Sequence, residues 1–360
     1  MAIPDTQIPV FVLTGFLGAG KTTLLNRLLE DPAYADTALV INEFGLVAVD
    51  HDLVRKGREA RASVTTTGCI CCTRGSDLRA SLDELLVLRR NGTLPPFSRV
   101  IVETTGLADL APIVNSLIPG GLAAVALADH AVARAFRLSG VITVVDVEGI
   151  GAVLEAHPES LRQIAFADHV VLSKTDLHPA GDLGEALRGL NPGVIVHDAA
   201  ADGFSPASLI GAGSYSAFGK GEQVGKWLAA EAQQPPLTGG HFHDLNRHGG
   251  VQAVPLTSDT PVDETALRQF LTRLTATPSN GLLRIKGLMA LRDDPSRPLV
   301  VHAVGHRLYP GLRLEGWPDG QAGNRLVIIG TALDEMSLRQ QFDRLGGQPF
   351  ADFPIVQGIR

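Results

Sequence analysis

Cysteine is scarce in this sequence: three residues in 360, all between Cys69 and Cys72. So few, so tightly clustered, exclude a disulfide framework and point instead to metal or redox chemistry. Long apolar runs are also missing. No uninterrupted stretch approaches the ~18–20 residues needed to cross a bilayer, so no membrane partner is expected. The opening Met1-Ala2-Ile3-Pro4-Asp5 has no basic segment followed by an apolar core. No secretory leader is expected, and the expected compartment is the cytoplasm. Basic residues are outnumbered: 31 Lys and Arg against 38 Asp and Glu give a net charge of −7. That balance argues against nucleic acid as a partner held through its phosphates. There is no internal repeat and no low-complexity tract. What remains is a chain long enough for two cores.

Glycine is where the sequence becomes informative. Gly15-Phe16-Leu17-Gly18-Ala19-Gly20-Lys21-Thr22-Thr23 fits G-x-x-x-x-G-K-[ST], the loop that cradles nucleotide phosphates. Val10-Phe11-Val12-Leu13 before it is strand-like, and Leu24-Leu25-Asn26-Arg27-Leu28-Leu29 after it is helical in pattern. A Gly-rich turn with a chance Lys-Thr would not need those flanks. Glycines let backbone N–H groups close on phosphate oxygens, and the helix N-terminus adds favourable dipole charge. Gly15, Gly18, Ala19, Gly20, Lys21, Thr22 and Thr23 are therefore the candidate phosphate-binding residues. Lys21 is expected at the β- and γ-phosphates, and the Thr22 hydroxyl on Mg²⁺.

The first half alternates strands and helices. Leu39–Ile41, Arg99–Val102, Val141–Val145, His169–Leu172 and Val194–Val196 are short apolar runs. Asp77 to Arg90 carries Leu78, Leu82, Leu85, Leu86 and Leu88, an amphipathic helix. Continuous rather than alternating apolar strands imply a mostly parallel sheet covered on both faces. Residues 1–210 are expected to form a doubly wound α/β domain of the P-loop type. Residues 211–248, with Pro235-Pro236 and Gly239-Gly240, suit a linker. Residues 249–360 are expected to form a small α+β domain with its helices on one sheet face. Its strands are expected over 251–256, 282–291, 299–304, 307–314 and 325–329. Its helices are expected over 263–274 and 334–345, the last entered through Thr331.

Three further segments bear on a nucleotide. Ser173-Lys174-Thr175-Asp176 follows a late strand. A Lys-x-Asp there is expected to read guanine, the carboxylate accepting from the ring N–H and the exocyclic amine and the Lys stem lying along the base; a chance surface Lys-x-Asp, or adenine as the base, is the alternative. Ser173 stands where Asn is usual, which weakens one hydrogen bond of the pattern. Glu103-Thr104-Thr105-Gly106 ends the strand at 99–102. Glu103 can hold the Mg²⁺ shell or position water, and Gly106 lets backbone approach the γ-phosphate. The plainer reading is that Thr105 caps a helix. Lys21, Glu103 and Gly106 are the candidates for catalysis. Asn42-Glu43-Phe44-Gly45 lies at another strand tip, where it could order around a γ-phosphate.

Cys69, Cys71 and Cys72 supply soft thiolates suited to Zn²⁺ and related transition metals. A fourth ligand would be water, a carboxylate such as Glu43, or a partner's group. Buried small hydrophobes and a redox switch are the alternatives. His241 and His243, in His241-Phe242-His243-Asp244, form a second candidate patch, with solvated loop histidines as the equal alternative. His302 and His306 are treated as ordinary.

These motifs, in this order, together with Gln163-Ile164-Ala165-Phe166-Ala167-Asp168 and Arg284-Ile285-Lys286-Gly287, resemble the CobW-like P-loop GTPases. These are relatives of the nickel-inserting GTPases of urease and hydrogenase. The resemblance covers nearly the whole chain. It implies GTP hydrolysis with Mg²⁺, coupled to handling zinc, or alternatively cobalt, for a client metalloprotein or cofactor-synthesis enzyme. By position it places Lys21 and Thr22 on phosphate and Mg²⁺, Glu103 as the acidic strand-end residue, Lys174 and Asp176 on guanine, and Cys69, Cys71 and Cys72 in the metal motif with Glu43 beside it. Ala48 departs from the family's usual Gly, and the His patch is sparse. The other readings are a GTP-dependent regulatory switch with structural cysteines and a redox switch. Monomer and homo-oligomer are both left open.

Overall fold

The computed structural model describes residues 7–34, 36–41, 64–66, 76–117, 127–209, 251–276, 281–305, 307–309, 311–317 and 320–346. Seven strands form the first sheet: β1 (Ile8–Gly15), β2 (Thr37–Ile41), β3 (Val64–Thr66), β4 (Arg99–Glu103), β5 (Phe136–Asp146), β6 (His169–Ser173) and β7 (Ile195–Asp198). Their order is β3-β2-β4-β1-β5-β6-β7, and every pair is parallel. Between them run α1 (Lys21–Glu30), α2 (Ser76–Arg90), α3 (Leu110–Ser116), α4 (Leu127–Ala135), α5 (Ile150–Ala156), α6 (Pro158–Phe166) and α7 (Leu183–Leu190).

Strand alternation divides the apolar residues between two layers. Val10, Val12, Val100 and Val102 pack with Leu78, Leu82 and Leu85 of α2 and Ile113 of α3. Phe11, Leu13 and Ile101 face the other way, onto Leu24, Leu25 and Leu28 of α1. Both faces are therefore covered, which is why the middles of these strands are continuously apolar. Leu25 and Leu28 are fully buried, each contributing about 1.5–3 kcal/mol. The strand order reverses about β1, so the C-terminal ends of β1, β4 and β5 meet at a switch point where α/β sheets bind ligands.

A second sheet comprises β8 (Val251–Ser258), β9 (Leu282–Met289), β10 (Leu299–Val304), β11 (Arg307–Leu308), β12 (Leu312–Arg313) and β13 (Asn324–Thr331). Its order is β11-β10-β9-β13-β8 with β12 also on β10, and its pairs are antiparallel. Two helices, α8 (Glu264–Ala276) and α9 (Glu335–Asp343), cover one face through Phe270 and Phe342. The opposite face, with Leu288, Val327 and Ile329, joins the core that holds Leu161 and Ile164 of α6 and Leu187 of α7.

A buried ion pair pins the two sheets together. Arg284 on β9 donates to the α6 end, at Phe166 O (2.9 Å) and Ala167 O (3.0 Å), and to Asp168 Oδ1 (2.5 Å). Asp168 Oδ2 accepts from the Val141 N–H at 3.0 Å. Lys286 Nζ stands 3.7 Å from the same carboxylate. Burial, and next the Arg284 cation, bring the Lys286 ammonium down to about 8 against the pull of Asp168.

Three local expectations are corrected. The strand expected over 307–314 is two short ones, β11 and β12, each pairing with a different part of β10. Pro310 lies between them and has no N–H for a ladder. The last helix is capped by Asp334, whose carboxylate accepts from the Ser337 N–H at 3.0 Å, while Thr331 ends β13. Asp109, not Thr105, caps α3 by accepting from the Ala111 N–H at 3.0 Å. The residues 211–248 expected as a linker lie outside the described residues. Among the described residues no helix is long and apolar enough to cross a membrane.

Candidate functional site

β1 ends at Gly15, whose φ of 139° and position leave no room for a side chain: a Cβ there would lie 2.3 Å from Val144 O on β5. The loop then turns through Gly18 (φ 76°) and Gly20 (φ 92°). Gly20 has no side chain with which to cap α1, and the first turn of α1 holds no acidic residue. Its N–H groups are thus left for an anion. Lys21 Nζ donates back to Gly15 O at 2.9 Å and Phe16 O at 3.0 Å, so the ammonium sits over its own loop. Thr23, next along, is exposed.

Thr22 and Glu103, 81 residues apart, come together: Thr22 Oγ1 donates to Glu103 Oε1 at 3.2 Å. The parallel register of β1 and β4, with Leu13 opposite Glu103, brings this about. Glu103 is buried. Gly106 lies against the phosphate loop, since a Cβ on it would fall 2.5 Å from Leu17 N.

The Ser173–Asp176 segment, expected to read the base, is tied to the same loop. Ser173 Oγ donates to Ala19 O at 2.7 Å, so the substitution expected to weaken the pattern keeps a direct bond to the phosphate loop. Lys174 holds φ at 60°, a left-handed conformation that costs a non-glycine residue about 1–2 kcal/mol. Its ammonium pairs with Asp146, and that carboxylate, through its hydrogen bond, holds Lys174 above the usual lysine range. Thr175 Oγ1 donates to Asp198, and Asp176 is exposed.

Asp146 and Asp198 were not singled out from sequence. Each is the last residue of its strand, at the same C-terminal end of the sheet as Glu103 and Ser173. That was the available signal, but it acquires meaning only once strand order is known.

Glu43, Cys69, Cys71, Cys72, His241 and His243, with the rest of Asn42–Gly45, lie outside the described residues. Among the described residues no three His, Cys, Asp or Glu side chains gather as a metal site. The strands that lead to two of these segments are described. Ile41, the last residue of β2, is in register with both Thr66, the last of β3, and Glu103.

The nucleotide-binding domain of CobW/HypB/UreG matches residues 9–196, and the cobalamin synthesis protein CobW C-terminal domain matches residues 251–345. The zinc chaperone YjiA of Escherichia coli is 29% identical over 337 residues, spanning 93% of this chain and 98% of its own. The zinc chaperone CobW of a Sinorhizobium species is 30% identical over 371 residues, spanning 92% and 96%. The crystal structure of the Zn(II)-bound YjiA GTPase from E. coli superposes with a TM-score of 0.70 at 26% identity, covering 94% of this chain and 99% of that one. With the P-loop, the Thr22–Glu103 pair and the second sheet in place, the chain belongs to the CobW/HypB/UreG family of P-loop GTPases.

Proposed function

We propose that this protein is a cytoplasmic, GTP-hydrolysing metallochaperone that takes up zinc, with cobalt as the alternative cargo, on Cys69, Cys71 and Cys72 beside Glu43, and hands it to a client metalloprotein or cofactor-synthesis enzyme. The observation that carries this reading is the three-strand register. β2, β4 and β3 end side by side at Ile41, Glu103 and Thr66. Glu43 follows Ile41 by two residues and Cys69 follows Thr66 by three. Ile41 is beside Glu103 and Thr66 lies one strand (~4.8 Å) further out; at ~3.5 Å per residue, Glu43 is within ~7 Å of chain of Ile41 and Cys69 within ~11 Å of chain of Thr66. A metal motif within that reach of a γ-phosphate can respond to whether the phosphate is present. The zinc chaperones among the relatives support the choice of metal.

The donor set suits Mg²⁺. A hydroxyl and a carboxylate oxygen 3.2 Å apart are both hard ligands, near the ~3 Å that separates adjacent ligands of an octahedral Mg²⁺. Thr22 and Glu103 would hold the ion, which neutralises charge on the β- and γ-phosphate oxygens when bound. Lys21 adds its ammonium to those oxygens, and the N–H groups opening α1 orient them. Gly106 offers backbone at the γ-phosphate. Asp176 accepts from the guanine edge while Lys174, anchored by Asp146, lies along the base.

Two measurements test this. A carboxylate matched to two base donors is worth about 1–3 kcal/mol of discrimination. Asp176→Ala should therefore cut the preference for GTP over ATP by roughly 5- to 160-fold, read by competitive displacement of labelled GDP. An unchanged preference would remove Asp176 from base recognition. Coupling of metal and nucleotide is reciprocal, typically about 5- to 150-fold. Zn²⁺ should tighten a non-hydrolysable GTP analogue by the same factor that the analogue tightens Zn²⁺. Titration round the closed cycle with Mg²⁺ present checks it, and independent affinities would sink the nucleotide-gated carrier.

A further inference from the structure

Helix α6 carries a glutamine that no part of the nucleotide reading uses. Gln163 is 1% exposed. Its Nε2 donates to Gly106 O at 3.1 Å and to Ala108 O at 3.2 Å, reaching back more than fifty residues to the loop after β4. On its other side that loop is pressed onto the phosphate loop: a Cβ on Gly106 would fall 2.5 Å from Leu17 N and 2.8 Å from Leu17 Cγ. The Gly106 backbone is thus gripped between Leu17 and Gln163. A trans peptide is planar, so fixing the Gly106 carbonyl also fixes the N–H across the same peptide.

The helix that does the gripping is itself fixed. Thr143 Oγ1 on β5 donates to Gln163 O at 2.9 Å. Three residues on, Phe166 O accepts from Arg284 of the second sheet at 2.9 Å. Gln163 also uses only its donor end. Its Oε1 has no partner among the described residues, nor has the Oγ of Ser160, three residues earlier on α6. Both side chains border a cavity of about 40 Å³ with Phe16 and Leu17. A glutamine buried for packing alone would leave two carbonyls unheld, whereas one that serves those carbonyls needs only its N–H groups.

We propose that Gln163 is a positioning residue for GTP hydrolysis, holding the Gly106–Ala108 backbone against Leu17 in the conformation that meets a γ-phosphate. This rests on the reading of Gly106 as a γ-phosphate contact.

GDP lacks that phosphate, so the ratio of affinities for a non-hydrolysable GTP analogue and for GDP isolates the effect. Gln163→Met keeps the length of the side chain and removes the donor. It should leave GDP affinity within about twofold, weaken the analogue at least ~10-fold and lower kcat by a similar factor. Equal weakening of both nucleotides, or of neither, overturns the proposal. Gln163→Glu keeps the shape but faces two carbonyl oxygens with an acceptor. Its kcat deficit relative to the parent should shrink as the pH is lowered, because a protonated carboxyl can donate again. If Gln163→Met fails to fold, this profile decides, and a parent-like profile counts against Gln163. Gly106→Ala separates the two levels. If it leaves the analogue-to-GDP ratio unchanged, the Gly106 reading falls and the Gln163 inference with it. If Gly106→Ala shifts the ratio and Gln163→Met does not, only the inference falls.

Discussion

Lys21→Ala is expected to lower the single-turnover rate of GTP hydrolysis by about 10²–10³-fold, the usual cost of removing one preorganised charge stabiliser from a reacting centre. The structure explains why the loss should fall mainly on the rate. The ammonium already sits at the mouth of the loop, 2.9 Å and 3.0 Å from the Gly15 and Phe16 carbonyls. Exchanging those neutral acceptors for phosphate oxygens requires little side-chain ordering, and the stronger interaction develops as charge moves onto the β–γ bridging and β-phosphate oxygens of the leaving GDP. Lys21→Arg should not restore activity. The two carbonyls frame a compact ammonium, and a planar guanidinium fork presents its donors in a different geometry. Rapid-quench measurement of phosphate release checks both variants. A fall of less than threefold for Lys21→Ala would take Lys21 out of the mechanism.

Asp168→Ala should have the largest effect on stability, about 3–5 kcal/mol, because it strands a buried cation. Asp168 and Arg284 are 3% and 2% exposed, with Lys286 Nζ 3.7 Å from the same carboxylate. Removing the carboxylate leaves the Arg284 cation buried without its counter-charge and takes the acceptor from the Val141 N–H on β5. Replacing both partners, as in Asp168→Leu with Arg284→Met, should cost far less, since an apolar pair of similar volume avoids the desolvation penalty. Urea unfolding of the three proteins checks this. Equal midpoints for the single and double variants would show that the pair does not bind the sheets together.

The contrast between these two sites shows what a one-dimensional reading can find. The phosphate loop was legible because its strand, glycines, Lys21 and Thr22 are consecutive, so spacing alone encodes their geometry. The strands were legible because burial on both faces keeps their middles apolar, as in Val10–Leu13 of β1 and Val100–Val102 of β4. Contacts made across the sheet were not. Arg284 reaches Asp168 over 116 residues, and Gln163 reaches Gly106 over 57. Both residues fell in segments quoted for resemblance, yet nothing local says what they touch. Asp146 and Asp198 look like ordinary strand ends until β5 and β7 are known to finish at the same C-terminal end of one sheet as Glu103. The caps failed for a different reason. Thr105 and Thr331 are sound cap residues by type, but a cap also needs its backbone at the helix start, which Asp109 and Asp334 have.

The position of β1 has a consequence for how the chain is made. The strand that carries the phosphate loop is synthesised first, yet its neighbours are β4 and β5, which end at Glu103 and Asp146. Roughly 130 further residues must leave the ribosome before both edges of β1 are paired, about 7–26 s at ordinary elongation rates. Throughout that time Val10-Phe11-Val12-Leu13 is an apolar segment with unpaired edges, the kind of sequence that chaperones hold and nascent chains aggregate through. The newborn chain thus has its phosphate loop paired on both sides only once β5 docks, and Ser173–Asp176 follow later with β6, so the pocket is assembled strand by strand.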